Sequence, residues 1–165
     1  MPFSRSVIGL AEELCAERQT SPIRDLWVDV SRLRIHCLKA GHQGRPVLLL
    51  HGGGLDAAGL SLRNTIPALA EQHRIFAPDW PGFGQSDPMP ITWRVEECVD
   101  FVGRLLNALD LKRACLVGVS MGGAFALGFT LRAPERVERL VLVDSAGLGN
   151  EIPGGFYRIS GFSYP

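Results

Sequence analysis

The sequence lacks several features that would assign it to whole classes of protein. Its longest apolar runs, such as those at 47–50 and 140–143, are the length of a strand and far short of the ~20 residues of a membrane-spanning helix. Lysine plus arginine equals aspartate plus glutamate, at 17 residues each. No excess of charge therefore draws the chain to nucleic acid or to an anionic membrane, and we expect neither as a partner.

Signals for secretion and for metal binding are also lacking. The apolar stretch at 7–11 is too short for a secretory leader and runs directly into two glutamates. The cysteines form no C-x-x-C pair and have no histidine at metal-ligand spacing, so we expect no metal and no other cofactor. They are Cys15, Cys37, Cys98 and Cys115. We predict reduced thiols in a cytoplasmic protein.

Strand and helix patterns alternate along the chain. Hydrophobic residues make up 46% of the 165, which is typical of a globular core. The predicted strands are 27–30, 33–38, 46–51, 74–78, 114–118 and 137–143, and the predicted helices are 61–72, 92–110 and one that starts at Met121 and ends before Pro134. Ser61 and Thr92 are the expected helix caps. This alternation predicts an α/β fold with a doubly wound, mostly parallel sheet.

The sequence G-V-S-M-G at 118–122 stands between a predicted strand and a predicted helix. A sharp turn there would lift the Ser120 oxygen above the sheet and strain its backbone into a sparsely populated region with positive φ. Glycines two residues to either side leave room where strand and helix crowd together. The free N–H groups at the helix start would face a developing oxyanion. The alternative is a turn whose serine only caps the helix.

A second glycine-rich motif, His51-Gly52-Gly53-Gly54, follows an earlier strand. Glycine lets the backbone present an N–H group to a substrate oxygen, and a donor here with that of Met121 would form a two-donor oxyanion hole. We expect this loop to meet the loops at 79–87 and 119–123 where parallel strands end. A plain glycine-rich turn is the alternative.

Four motifs carry a resemblance to a known family. They are HGGG at 51–54, DWPGFGQSD at 79–87, GVSMGG at 118–123 and RVERLVLVDSAG at 136–147. In this order and spacing they resemble the α/β-hydrolase superfamily, in its group of esterase-like and carbon–carbon-bond hydrolases. The resemblance implies that Ser120 is the nucleophile toward a small acyl substrate, with the backbone N–H groups of Gly53 or Gly54 and of Met121 as oxyanion donors. Haloalkane dehalogenases and epoxide hydrolases, in contrast, have aspartate at the serine position.

Other polar and aromatic residues have two interpretations each. Asp144 ends a strand, where some members of the superfamily place the triad acid, but it also suits a turn. We expect Asp79 to be structural and His51 to hold the glycine motif by hydrogen bonds. Trp80 and Phe83 line a pocket or simply pack. The remaining histidines, which we expect at the surface or at strand ends, are His36, His42 and His73.

The resemblance is incomplete in one respect. The superfamily order is serine, acid, histidine, and no histidine follows Ser120 in this sequence. We therefore interpret 26–147 as a partial core without its last strands, cap and C-terminal helix, with an N-terminal extension at 1–25 and a stub of cap or linker at 148–165. The chain is then an incomplete serine hydrolase or a non-catalytic binding module. A nucleotide-binding domain is disfavoured because Gly82-Phe-Gly84 has no third glycine and no G-K-[ST] follows.

Overall fold

A mostly parallel sheet of six strands forms the centre of the computed structural model, which describes residues 21–148. The strands are β1 (Arg24–Val30), β2 (Leu33–Ala40), β3 (Pro46–Leu50), β4 (Arg74–Pro78), β5 (Ala114–Val119) and β6 (Val137–Val143). Their order across the sheet is β1-β2-β4-β3-β5-β6. The last four pair in parallel, whereas β1 and β2 are antiparallel to their neighbours. The predicted sheet is confirmed.

Helices cover both faces of this sheet. They are α1 (Ala58–Ser61), α2 (Thr65–Ala70), α3 (Val95–Ala108) and α4 (Met121–Arg132), with a short 3-10 turn at Pro134–Arg136. The fully apolar strand β3 explains the two layers, because its side chains alternate in direction. Val47 and Leu49 pack with α1 and α2, and Leu48 and Leu50 pack with α3 and α4.

The predicted single helix at 61–72 is wrong, since α1 and α2 are separate. Pro67 has no N–H group to donate to a preceding carbonyl, so it interrupts a continuous helix but fits the first turn of a new one. Ser61 is not a cap either. It is the last residue of α1, and its hydroxyl donates to Asp56 at 3.0 Å.

The predicted helix at 92–110 exists but begins later, at Val95. Its N-terminal flanking residue is Arg94 rather than Thr92, and the Arg94 N–H donates to the Glu97 carboxylate at 2.8 Å. The buried face follows the helical spacing in the sequence, with Cys98, Val102 and Leu105 among its members. Helix α4 ends at Arg132, before Pro134, as predicted.

Two predicted segments fall largely beyond what is described. The N-terminal extension at 1–25 lies outside it except for its last five residues, and β1 already begins at Arg24. The stub at 148–165 is described only at Leu148, which is exposed. Within residues 21–148, none of the helices has the length and apolarity that a membrane crossing requires.

Candidate active site

Three loops meet at one edge of the sheet, where β4, β3 and β5 end side by side. They are the glycine loop (51–57), the aspartate loop (79–87) and the turn at Ser120. The Trp80 N–H donates to His51 Nε2 at 3.1 Å, which joins the first two loops. Gly52 adjoins the third, because a Cβ built on it would lie 3.5 Å from the Cβ of Ser120. The predicted convergence of these loops is confirmed.

Ser120 has the strained backbone expected of a nucleophile elbow, with φ 49° and ψ −114°. Such a conformation costs about 1–3 kcal/mol in a residue other than glycine, so neighbouring structure must hold it. Here the end of β6 and the turn that follows it hold Ser120 through two backbone hydrogen bonds. The Ser120 N–H donates to the Val143 carbonyl at 3.0 Å, and the Ser120 carbonyl accepts from the Ala146 N–H at 3.0 Å.

The two flanking glycines are required by close backbone contacts. A Cβ on Gly122 would clash with the carbonyl oxygens of Leu50 and His51, and one on Gly118 would clash with the backbone of Gly122 and Gly123. Strand β5 and helix α4 therefore cross at a distance that only glycine permits. This confirms the prediction that the glycines on either side of Ser120 leave room where strand and helix crowd together.

The glycine loop is fixed by a carboxylate that the sequence analysis did not single out. Asp56 Oδ2 accepts the Gly52 N–H at 2.9 Å, and Asp56 Oδ1 accepts the Ala57 N–H at 2.7 Å. The N–H of Gly52 is therefore engaged. In contrast, those of Gly53, Gly54 and Met121 donate to no group within 21–148. Met121 directly follows Ser120, and a Cβ built on Gly53 would lie 3.3 Å from the Met121 sulfur, so the donors of Gly53 and Met121 belong to neighbouring segments.

His51 has both ring nitrogens engaged. Nε2 accepts the Trp80 N–H, and Nδ1 lies 2.8 Å from the Gly52 carbonyl oxygen, to which only a protonated Nδ1 can donate. Full burial lowers the pKa of His51 against the smaller opposing effects of the Gly52 carbonyl and Asp56. The side chain is therefore neutral, has no free lone pair for a general base, and holds the glycine loop as predicted.

His36 is not a surface residue, and the prediction was wrong on this point. It lies in the middle of β2 and is 3% exposed. Its Nδ1 is 2.8 Å from Asp79 Oδ2, and its Nε2 is 2.8 Å from Asp25 Oδ1. Ile35 and Cys37 on either side of it are buried as well, because β2 pairs with β1 along one edge and with β4 along the other. His42 is exposed and His73 directly precedes β4, as predicted.

Asp79 is saturated with structural contacts. Its Oδ1 accepts the Ala58 N–H at 2.8 Å, and its Oδ2 accepts the Gln85 N–H at 3.0 Å as well as facing His36. The residue is 2% exposed. It therefore holds the aspartate loop to β2 and α1, as predicted for a structural aspartate.

The remaining candidates lie near this edge without joining the elbow. Trp80 is buried against Phe101 and Phe125, and its indole N–H donates to the His51 carbonyl at 3.0 Å, so it packs rather than lines a pocket. Phe83 is half-buried beside the His51 ring. Asp144 follows β6 with φ 43° and an exposed side chain, a conformation that aspartate tolerates in turns.

The chain is similar in sequence to hydrolases of known substrate. It is 40% identical over 121 residues to a 2-hydroxy-6-oxo-2,4-heptadienoate hydrolase of Pseudomonas putida, which covers 72% of this chain and 44% of the relative. It is 43% identical over 123 residues to a 2-hydroxy-6-oxo-6-phenylhexa-2,4-dienoate hydrolase of Burkholderia cepacia, covering 73% and 43%. The chain thus spans less than half the length of these relatives.

Similarity extends to a solved structure and to a family profile. The 2-hydroxy-6-oxo-6-phenylhexa-2,4-dienoate hydrolase of Rhodococcus sp. strain RHA1 superposes with a TM-score of 0.74 at 35% identity, over 85% of this chain and 53% of that one. The profile of the alpha/beta hydrolase fold matches residues 45–157, a span that includes β3 to β6 and the Ser120 turn. By profile, sequence and fold together, the chain belongs to the alpha/beta hydrolase fold family.

Proposed function

We propose that the protein is a serine hydrolase in which Ser120 attacks the carbonyl carbon of a small acyl substrate. The observation that carries the proposal is the strained backbone of Ser120 next to the N–H groups of Gly53 and Met121, which donate to no group within 21–148. A serine held in this way presents its oxygen above the sheet edge instead of turning it into the helix. A structure that needed only a helix cap would not require the strain.

The donors suit the chemistry of acyl transfer. When the serine oxygen adds to a carbonyl, negative charge develops on the carbonyl oxygen, and preorganised N–H groups stabilise it. The Met121 N–H at the start of α4 and the N–H of Gly53 or Gly54 are the donors in this proposal. The bond from the carbonyl carbon to the leaving group then breaks, the leaving group takes up a proton, and water releases the acyl group from the serine.

The substrates named for the relatives favour cleavage of a carbon–carbon bond. A 2-hydroxy-6-oxo-dienoate contains a carboxylate, an enol and a ketone but no ester or amide, so its hydrolysis must break a bond at the 6-oxo carbon. Transfer of this specificity to the present protein is part of the proposal, because the relatives align with it over less than half of their length. Simple esters are the other substrate class that this chemistry would serve.

A second function is favoured by the positions of the histidines in the sequence. None follows Ser120 in the sequence, and His51 has no lone pair to offer. A serine without an adjacent base is a weak nucleophile. The alternative is therefore a non-catalytic module that binds acyl ligands in the retained site.

Steady-state assays of the protein expressed from its complete reading frame test the proposal. The substrates are 2-hydroxy-6-oxo-6-phenylhexa-2,4-dienoate and p-nitrophenyl acetate, and the matched control is Ser120→Ala. We expect turnover that the substitution reduces by several orders of magnitude. Saturable binding of the dienoate without turnover in either protein would favour the non-catalytic alternative. Equal turnover in both proteins would exclude Ser120 as the nucleophile.

A further inference from the structure

We propose that His36 is a positioning residue, held as an imidazolium between Asp25 and Asp79, that fixes the aspartate loop against the glycine loop. The inference rests on the proposed function only in treating the glycine loop as the source of oxyanion donors. The charge state and the contacts of His36 can be measured without any turnover.

The count of protons at the two ring nitrogens carries the first step. An ionised carboxylate only accepts hydrogen bonds, and a neutral imidazole has a single N–H group. Here each ring nitrogen of His36 lies 2.8 Å from a different carboxylate, Asp79 on one side and Asp25 on the other. Both contacts are satisfied at once when both nitrogens carry a proton, so the geometry points to the charged form.

Burial of the Asp79 carboxylate carries the second step. The side chains of His36 and Asp79 are 4% and 3% exposed, whereas that of Asp25 is 68% exposed. A buried carboxylate needs a counter-charge or several hydrogen bonds, and the cation within hydrogen-bond reach of Asp79 is His36. The Asp25 carboxylate, in contrast, is solvated by water and does not depend on the His36 charge in this way.

The path from His36 to the glycine loop is short. Asp79 accepts the N–H of Ala58, the residue that directly follows the glycine loop, at 2.8 Å. The next residue, Trp80, donates its N–H to His51 at the beginning of that loop at 3.1 Å. Two successive residues therefore hold the two ends of the glycine loop, and His36 anchors the first of them.

The surroundings of His36 favour its charged form. Burial lowers the pKa of His36, but the hydrogen bonds and charges of Asp25 and Asp79 outweigh it, so the pKa lies above the ordinary 6.5. Besides these two carboxylates, the groups facing the ring are the Gln85 amide of the aspartate loop, 3.5 Å from Nε2, and the Trp27 ring of β1, at 5.1 Å. The Arg34 guanidinium stacks over the Trp27 ring, with its central carbon 4.4 Å from the ring centre.

Nuclear magnetic resonance of the full chain with ¹⁵N-labelled histidine tests the charge state. We expect the resonances of both His36 ring nitrogens to be those of an imidazolium at pH 7. The backbone amides of Ala58 and Gln85, which donate to Asp79, should titrate with the same midpoint as the ring. A neutral His36 ring at pH 7, or amides that do not follow it, would overturn the proposal.

Three substitutions separate charge from packing. Asp25→Asn keeps an acceptor and should lower the His36 midpoint while the fold persists. His36→Asn keeps a donor near the Nδ1 position without the charge, and His36→Gln places its donor toward Asp25 instead. In His36→Gln we expect the Trp80, Ala58 and Gln85 amides to exchange with solvent at least ~10-fold faster than in His36→Asn, because hydrogen bonds to charged groups are worth that much.

Each outcome decides between positioning and mere packing. Equal exchange in the two His36 variants, or an unchanged midpoint in Asp25→Asn, contradicts the proposal. If His36→Gln does not fold, the His36 midpoint in Asp25→Asn remains decisive. If the imidazolium and the coupled amides are found in a protein that hydrolyses nothing, the Ser120 proposal fails while the His36 proposal holds.

Discussion

The Nε2 nitrogen of His51 accepts the backbone N–H of Trp80 at 3.1 Å, and this one bond determines what His51 can do. A nitrogen that accepts from a backbone donor carries no proton, so the proton of the neutral ring resides on Nδ1, which faces the Gly52 carbonyl. The histidine of the HGGG motif therefore has a structural role, in which both ring nitrogens hold backbone groups. Although His51 lies at the same sheet edge as Ser120, it has no free ring nitrogen with which to act as a base.

Replacing His51 with alanine should destabilise the protein by about 2–5 kcal/mol, since the Trp80 N–H and the Gly52 carbonyl would both be buried without a partner. Urea unfolding followed by circular dichroism measures the change. His42→Ala is the matched control, because His42 is exposed, and it should stay within about 0.5 kcal/mol of the parent protein. Equal stability of the two variants would contradict the structural role of His51.

Stability should depend on pH in two windows with opposite signs. The pKa of His36 is raised, so its contribution is complete below 6.5 and is lost as the pH rises through the folded-state pKa. The pKa of His51 is lowered, so its contribution is present above 6.5 and is lost as the pH falls. Urea unfolding from about pH 5 to 8 measures both slopes. His36→Asn should remove the alkaline slope alone, and an unaltered slope would contradict the assignment.

Gly122→Ala should destabilise the protein by about 1–3 kcal/mol or prevent folding, because the new methyl group meets the backbone oxygen atoms of Leu50 and His51, which cannot move aside. Gly59→Ala is the control. It lies in α1 with only Leu38 nearby at 3.8 Å, and alanine favours a helix over glycine, so stability should be unchanged or higher. Thermal unfolding of the two variants gives the comparison. Equal melting temperatures would show that the elbow tolerates a side chain.

Much of this architecture was predictable because it depends on local patterns. The strands β3, β5 and β6 are short apolar runs in the sequence. The glycines on either side of Ser120 indicate that strand and helix approach each other closely there. The burial of His36 was not predictable, because its partner Asp79 is 43 residues away and meets it only once β2 pairs with β4. The break between α1 and α2 was missed at Pro67, where the apolar spacing of a helix continues across a residue that cannot extend one.

The 165-residue chain alone should hydrolyse p-nitrophenyl acetate at nearly the same rate as its Ser120→Ala variant. No histidine follows Ser120 in the sequence, and His51 is engaged, so within 21–148 no histidine beside Ser120 is free to take its proton. Loss of a triad member in serine proteases leaves only ~10³–10⁴-fold acceleration over water. Turnover at the rate of ordinary esterases that Ser120→Ala abolishes would reveal a base in this chain, and Asp144 would be the next residue to substitute.

Strand β6 should promote self-association of the 165-residue chain. It pairs on one side with β5 and with no other strand within 21–148, and Val141 and Val143 on it are exposed. Open apolar edges pair with other chains, and a charged residue on the edge opposes this. Val141→Lys should therefore reduce concentration-dependent association in sedimentation velocity experiments. Leu131→Lys on α4, also an exposed apolar position, is the control and should leave association unchanged.

The two hydrogen bonds that hold Ser120 come from Val143 and Ala146, which are 23 and 26 residues further along the chain. Strand β5 and helix α4 can form before these residues are available, but the strained serine between them has no support until β6 docks. During synthesis, the strained conformation of Ser120 therefore waits for the ribosome to release the chain beyond Ala146. Formation of the strained Ser120 turn is in this sense a late step of folding, set by a segment that itself carries none of the glycines around Ser120.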